Sequence, residues 1–255
     1  MSRPELWGVV ALVVIAVVLA GCSALRKGTS STPADLLQKG MDARWSALPS
    51  EAEEPFRAYL HATAELPVEG EHAVSLQSIA GFFEEVDAAL AVDLYRRLIE
   101  AAEARSDPNA NGYREILADL QCELGEVDEA VAHYRASIAS QHEILGPAHP
   151  TIADSHRDLS RCLLRSGRVA EGFAELETMV QIRIEVHGET SAIAPALVEV
   201  ARARAAHGDI DGASADLDRA IRLIDEGLET EIPIRAEMLQ ALRAQLVEER
   251  AALSP

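Results

Sequence analysis

A chain of 255 residues can bury a sizeable core, either as one elongated domain or as two small ones. Its formal charge of -19 repels phosphate backbones, and no basic run or aromatic platform offsets it, which argues against nucleic acid as a partner. Alanine and leucine dominate, aromatic residues make up 4%, and valine-rich runs are confined to the first twenty positions, so the body is predicted to be all-α.

The first element follows "MSRPE". The stretch "LWGVVALVVIAVVLAGC" has the length of a signal-peptide apolar region and ends in small residues directly before Cys22. Leu19, Ala20, Gly21 and Cys22 resemble the bacterial lipobox. That resemblance implies a signal peptide over 1–21, cleavage before a lipidated Cys22 (a palmitate-type acylation), and a flexible tether over 22–33. It also implies a lipid-anchored protein of the bacterial cell envelope, with Ser23 favouring the outer membrane and a body facing the periplasm. An alternative stays open. Residues 6–25 could be an uncleaved inner-membrane anchor, and Arg26 and Lys27 would then hold the body in the cytoplasm as a signalling scaffold.

Next, the N-terminal segment assigned to 34–71, with "PADLLQKGMDARWSAL" and the stretch from Glu51 to Leu66, could form one more degenerate helix pair of the repeat, broken by "PSEAEEP" and without a secure repeat register.

Residues 72–230 repeat. "LGEVDEAVAHYRASI", "SGRVAEGFAELETMV" and "HGDIDGASADLDRAI" align with glycines at 125, 167 and 208, and behind each a small residue and two larger apolar ones recur at one-turn spacing. These are Ala130, Tyr134, Ile138; Gly172, Leu176, Val180; and Ala213, Leu217, Ile221. A weaker copy holds Ala91, Tyr95 and Ile99, with Val86 in the glycine slot. Each unit is a helix, a glycine turn and a second helix, and such pairs bury their apolar faces only by stacking. The glycine, the small residue five places on and the large one four beyond resemble the tetratricopeptide repeat. The "LG-x-x-HP" between units is similar to its kinesin light chain subclass. The resemblance implies a right-handed superhelical α-solenoid whose first helices line an inner groove. After "ETEIP", residues 231–255 hold an amphipathic capping helix with Met238, Leu239, Leu242 and Leu246 on one side.

Asp154, Ser155 and His156 have the residue types of a hydrolytic triad. Adjacent helical side chains point about 100° apart, so they are predicted to be solvated first-turn residues instead. His149 before Pro150 is predicted to set a sharp helix start. No two histidines stand at the i, i+4 spacing that converges ligands on a metal. Cys122 and Cys162 occupy differently pointing slots, 12 and 10, of adjacent repeats, and are predicted to be buried small hydrophobes with no disulfide. No metal, cofactor, catalytic residue or small-molecule substrate is predicted, and the chain does not read as an enzyme.

The informative constellation lies at slots 5, 9 and 13 of the first helices, which in the resembled family face the groove. Glu115, Asp119 and Glu123 form an acidic stripe, Arg157, Arg161 and Arg165 a basic one, and Arg202 follows in the next copy. Two readings stand: an inter-repeat salt-bridge ladder that fixes stacking, or a peptide-binding groove whose arginines hold an acidic or C-terminal carboxylate of an extended partner. The function expected is a membrane-tethered protein-protein interaction adaptor. A more specific alternative is an assembly or pilotin-like lipoprotein of an outer-membrane or secretion machine.

Overall fold

A computed structural model describes residues 31–46, 49–229 and 233–253 of the chain. The signal peptide expected over 1–21, Cys22 and most of the expected tether lie outside them. The described residues hold no strand, as predicted. They divide into two units, one ending at Pro67 and one beginning at Val68, four residues ahead of the boundary expected from sequence.

In the first unit α1 (Pro33–Arg44) and α2 (Glu53–Ala62) flank a short 3-10 turn (Pro49–Ala52). Thr32 starts α1 with a reciprocal capping box: its hydroxyl accepts from the Asp35 amide, and the Asp35 carboxylate accepts from the Thr32 amide at 2.9 Å. The two helices close on Phe56, which is fully buried. A Cβ at Gly40 would lie 2.3 Å from the Phe56 ring, so only glycine lets α1 approach α2 this closely.

The second unit is a right-handed solenoid of helix pairs: α3 (Gly70–Val86) with α4 (Ala88–Glu103), α5 (Asn109–Leu124) with α6 (Val127–Leu145), α7 (Pro150–Arg165) with α8 (Val169–His187), and α9 (Ala194–Ala206) with α10 (Ile210–Leu228). A 3-10 turn (Ser191–Ile193) precedes α9, and α11 (Pro233–Ala252) covers the last pair. Gly125, Gly167 and Gly208 sit at φ +82°, +81° and +84°, a left-handed conformation that L side chains rarely adopt. This shared backbone geometry is why the three turns repeat. In the first pair, where Val86 replaces the glycine, Asp87 ends one helix and caps the next, its carboxylate accepting from the Leu90 amide at 3.1 Å.

Behind each turn the repeated apolar row is inside: Ala91, Ala130 and Ala213 are fully buried, with Tyr95, Tyr134, Leu176 and Leu217 beside them. At Gly172 an added Cβ would come within 2.6 Å of Leu164 Cγ, so the small position does allow the helices of that pair to close up. Between pairs, His149 is extended as the residue before proline requires, Pro150 opens α7, and the His149 Nδ1 accepts from the Thr151 amide at 3.2 Å.

On α11 Leu246 is fully buried, and Leu239, Leu242 and Leu253 pack around the same cluster as Leu217 and Ile224. Met238 is 70% exposed and not on that seam. One residue's rotation, about 100°, separates it from Leu239, and Leu239 is the residue that packs inward.

Candidate functional site

Successive first helices meet across a seam whose geometry explains most of the charged face. Cys122 on α5 and Cys162 on α7 are joined in a disulfide with their Cα atoms 5.7 Å apart, at a sequence separation of 40. This corrects the expectation of two unpaired, buried cysteines. The slots do point differently, but stacking is head to tail, so the forward-looking side of one first helix meets the backward-looking side of the next. Slots 12 and 10 are two residues apart, a rotation of about 200°, which is what turns them toward each other.

The same offset recurs two turns away. Ser155 on α7 donates its hydroxyl to the Glu115 carboxylate on α5, again 40 residues apart. Ser137 and Gln141 of α6 donate to the same Glu115 oxygen at 3.0 and 2.7 Å, and Ser155 also donates to Gln141 Oε1 at 3.0 Å. Ser137, Gln141 and Ser155 are all buried. A carboxylate expected to line a groove is thus the hub of an interior network tying three helices.

The trio at 154 to 156 separates as geometry requires; Ser155 is buried and His156 largely so, while Asp154 keeps 41% of its side chain exposed. Ser155 joins the Glu115 network, the His156 Nδ1 lies 2.6 Å from Glu175 Oε2, and Asp154 accepts from Arg157 and from Arg183 at 3.1 and 2.6 Å. The solvated reading holds for Asp154 and fails for Ser155 and His156, because α6 and α8 pack over their side of this turn.

No ion pair joins Glu115, Asp119 or Glu123 to Arg157, Arg161 or Arg165 among the described residues, so the inter-repeat ladder is not built. The arginines find acids on their own helix instead. Arg157 pairs with Asp154 and Asp158, each at 3.1 Å, and Arg161 pairs with Asp158. An i, i+3 partner is already positioned by the helix, whereas a partner one repeat away must be brought into register. Burial works to lower the pKa of Arg157, but Asp158, Asp154 and Glu199 outweigh it and the net direction is up. Arg202 of α9 makes a two-point pair with Glu249 of α11, 2.9 Å at each contact, and this lowers the Glu249 pKa.

Asp119 accepts from the Tyr134 hydroxyl. Desolvation of its carboxylate raises its pKa, the Tyr134 hydrogen bond opposes this, nearby Asp158 and Glu123 add to it, and Arg161 of the next repeat, beyond ion-pair distance, lowers it. The Tyr134 hydroxyl is pushed well above its usual value by burial and by the same carboxylate. Arg165 and Glu123 are exposed and form no hydrogen bond or ion pair with a described residue. Of the seven predicted groove residues, Glu115 is committed inward, Arg157, Arg161 and Arg202 are paired, Asp119 is tied to a tyrosine, and Glu123 and Arg165 present their charge outward.

Sequence reasoning missed Asp154 and Asp158 as counter-ions, although their i−3 spacing from Arg157 and Arg161 was legible. Beside them a cleft of about 170 Å³ lies between Arg157, Arg183 and Glu199, over Met179, Pro195 and Ala196. Among the described residues no group of histidine, cysteine, aspartate or glutamate side chains is arranged to hold a metal.

The periodic glycines, the small-large-large rows and the head-to-tail seam set the terms for comparison with known proteins. Residues 109–171 match the tetratricopeptide repeat family. The structural relatives extend the fold well past that segment. The crystal structure of nearly identical TPR-like repeats of a kinesin light chain type from Podosopora anserina is 20% identical, covers 77% of this chain and 97% of its own, and superposes with a TM-score of 0.60. BtubC (BKLC) from P. vanneervenii is 16% identical, with coverage of 87% and 89% and a TM-score of 0.52. MamA is 14% identical, with coverage of 80% and 98% and a TM-score of 0.52. No curated protein matches the sequence at a significant level. The tetratricopeptide solenoid is therefore the fold of this chain, and its fold class suggests protein-protein interaction.

Proposed function

We propose that the protein is a lipid-anchored adaptor of the bacterial cell envelope that uses the face of its first helices to recruit a protein partner through an extended segment. The observation that carries this reading is the outward charge of Glu123 and Arg165 at the free end of otherwise internally satisfied stripes. A tetratricopeptide scaffold presents such residues on rigid helices, where a partner segment can meet them.

Recognition of an acidic or C-terminal carboxylate rests on Arg165 in this reading, because Arg157, Arg161 and Arg202 already hold carboxylates of the chain itself. Glu123 is placed to take a basic group of the same segment.

Export is supported by two independent features, the Leu19 to Cys22 tetrad and the disulfide between Cys122 and Cys162, since such bonds persist in oxidising compartments. With Ser23 after the lipidated cysteine, we assign the outer membrane and a periplasmic body. Radiolabelled palmitate tests the anchor: wild type takes up label and Cys22→Ala does not. Label that survives the substitution contradicts it and favours the uncleaved inner-membrane segment. The more specific reading, an assembly lipoprotein of an outer-membrane or secretion machine, requires that partners captured with the wild type be components of one such machine.

A further inference from the structure

Trp45 ends α1 and is 77% exposed, more than any other large hydrophobic side chain described. A tryptophan in that position costs apolar surface that burial would otherwise recover. Single exposed apolar residues are ordinary on protein surfaces, but three further facts bear on this one.

Its ring is paired with a cation. The Arg44 guanidinium lies 5.6 Å from the ring centroid. Leu37 and Met41, each half-buried, precede Trp45 at four-residue intervals, so the three lie along one side of the first unit. An apolar row ending in an indole with a guanidinium beside it has the chemistry of a membrane-water boundary. There an indole body sits among acyl carbonyls, its N–H finds an oxygen acceptor, and a cation meets lipid phosphate.

The third fact is reach. From Cys22 to Thr32 the chain spans at most about 35 Å, and α1 adds about 18 Å. An acyl group on Cys22 therefore keeps Trp45 within a few tens of ångströms of the bilayer at all times. Weak interfacial contacts become effective at such local concentrations.

We propose that the first unit docks on the lipid surface through Trp45, with Arg44, Leu37 and Met41 at the same contact, so that the tether holds the protein against the membrane instead of letting it range freely. This rests on the membrane anchoring proposed above. The occupant is the headgroup region of the bilayer, and a protein partner for Trp45 is an alternative that the test separates.

Trp7 and Trp45 are the two tryptophans of the sequence, so Trp7→Phe leaves Trp45 as the sole reporter whether or not the leader is cleaved. The full-length Trp7→Phe protein, purified from membranes, is reconstituted into vesicles of phosphatidylethanolamine and phosphatidylglycerol and floated on a density gradient. Its emission should lie at shorter wavelength than that of the same protein in urea. Brominated acyl chains should quench it, and the vesicles should shield it from iodide. Floating protein whose emission is water-like and fully open to iodide overturns the docking while leaving the anchor intact. So does a blue shift that is insensitive to brominated lipid, which would assign Trp45 to a protein contact. Protein that does not float, and carries no palmitate, overturns both the anchor and the docking.

Discussion

Cys122 and Cys162 are bonded at a separation of 40 residues in a chain whose turn glycines at 125 and 167 are 42 apart. The two-residue difference is the signature of head-to-tail stacking, in which each repeat uses one side of its first helix toward its predecessor and the opposite side toward its successor. Ser155 reaches Glu115 across the same interval, and Arg168, the residue that precedes α8, reaches Asp128 of α6 across it at 2.9 Å.

The disulfide closes a loop of 40 residues, for which chain-entropy arguments give a stabilisation of up to about 4 kcal/mol. Urea unfolding of the oxidised protein should show a stability about 2–4 kcal/mol above that of the Cys122→Ser, Cys162→Ser double variant. Added dithiothreitol should lower the first and leave the second unchanged.

Replacing Glu115 by alanine removes the shared acceptor of Ser137, Gln141 and Ser155. Leaving buried donors unmatched costs about 1–3 kcal/mol for each group. The three can partly rearrange among themselves, because Ser155 also has Gln141 and the Thr151 carbonyl. We expect a loss of about 2–4 kcal/mol for Glu115→Ala and clearly less for Glu115→Gln, which keeps an acceptor. Equal losses for both would mean that the network is not what Glu115 supports.

Gly172→Ala places a methyl 2.6 Å from Leu164 Cγ and 3.2 Å from the Leu164 backbone nitrogen. Since the backbone cannot yield as a side chain can, the overpacking should cost about 1–3 kcal/mol. Thermal unfolding checks this, and trimming the other side with Leu164→Ala should recover part of the loss in the double variant.

His133 on α6 has its pKa lowered from 6.5 by burial, and then by Arg114 and Arg96, with Glu103 opposing. The folded state therefore holds it neutral while the unfolded chain takes up a proton. This contribution to stability is complete above pH 6.5 and declines as pH falls below 6.5 toward the lowered folded value. Asp119, whose pKa is raised above 3.8, works in the opposite sense at lower pH. In unfolding titrations His133→Gln should flatten the slope just below pH 6.5, and an unchanged slope would remove His133 as its source.

The fold was legible because glycine turns and the small-large-large rows are local signals that recur, and a solenoid is built from local units. The cap was legible too, with Met238 misplaced by one residue's rotation. The charged face was less so. Its stripes were visible in the sequence, but how each charge is spent depends on the rotation between stacked helices, which a repeat alignment does not carry. Aligning residues 42 apart sets Cys122 and Cys162 in unlike slots, whereas contact across the seam runs at 40. For the same reason Glu115 read as a groove acid and is a half-buried one that accepts hydrogen bonds from buried Ser137, Gln141 and Ser155. Arg157 and Arg161, by contrast, took partners three residues back on their own helix, a relation the sequence did contain.

Partner capture bears most directly on the proposed adaptor role. Wild-type protein and Arg165→Glu are used to capture partners from detergent-solubilised membranes, with thermal melts run in parallel. Because Arg165 has no partner among the described residues and is exposed, its reversal should leave the melting temperature unchanged while the protein captured by the wild type is lost. Undiminished capture by a folded Arg165→Glu variant would contradict recognition by this face.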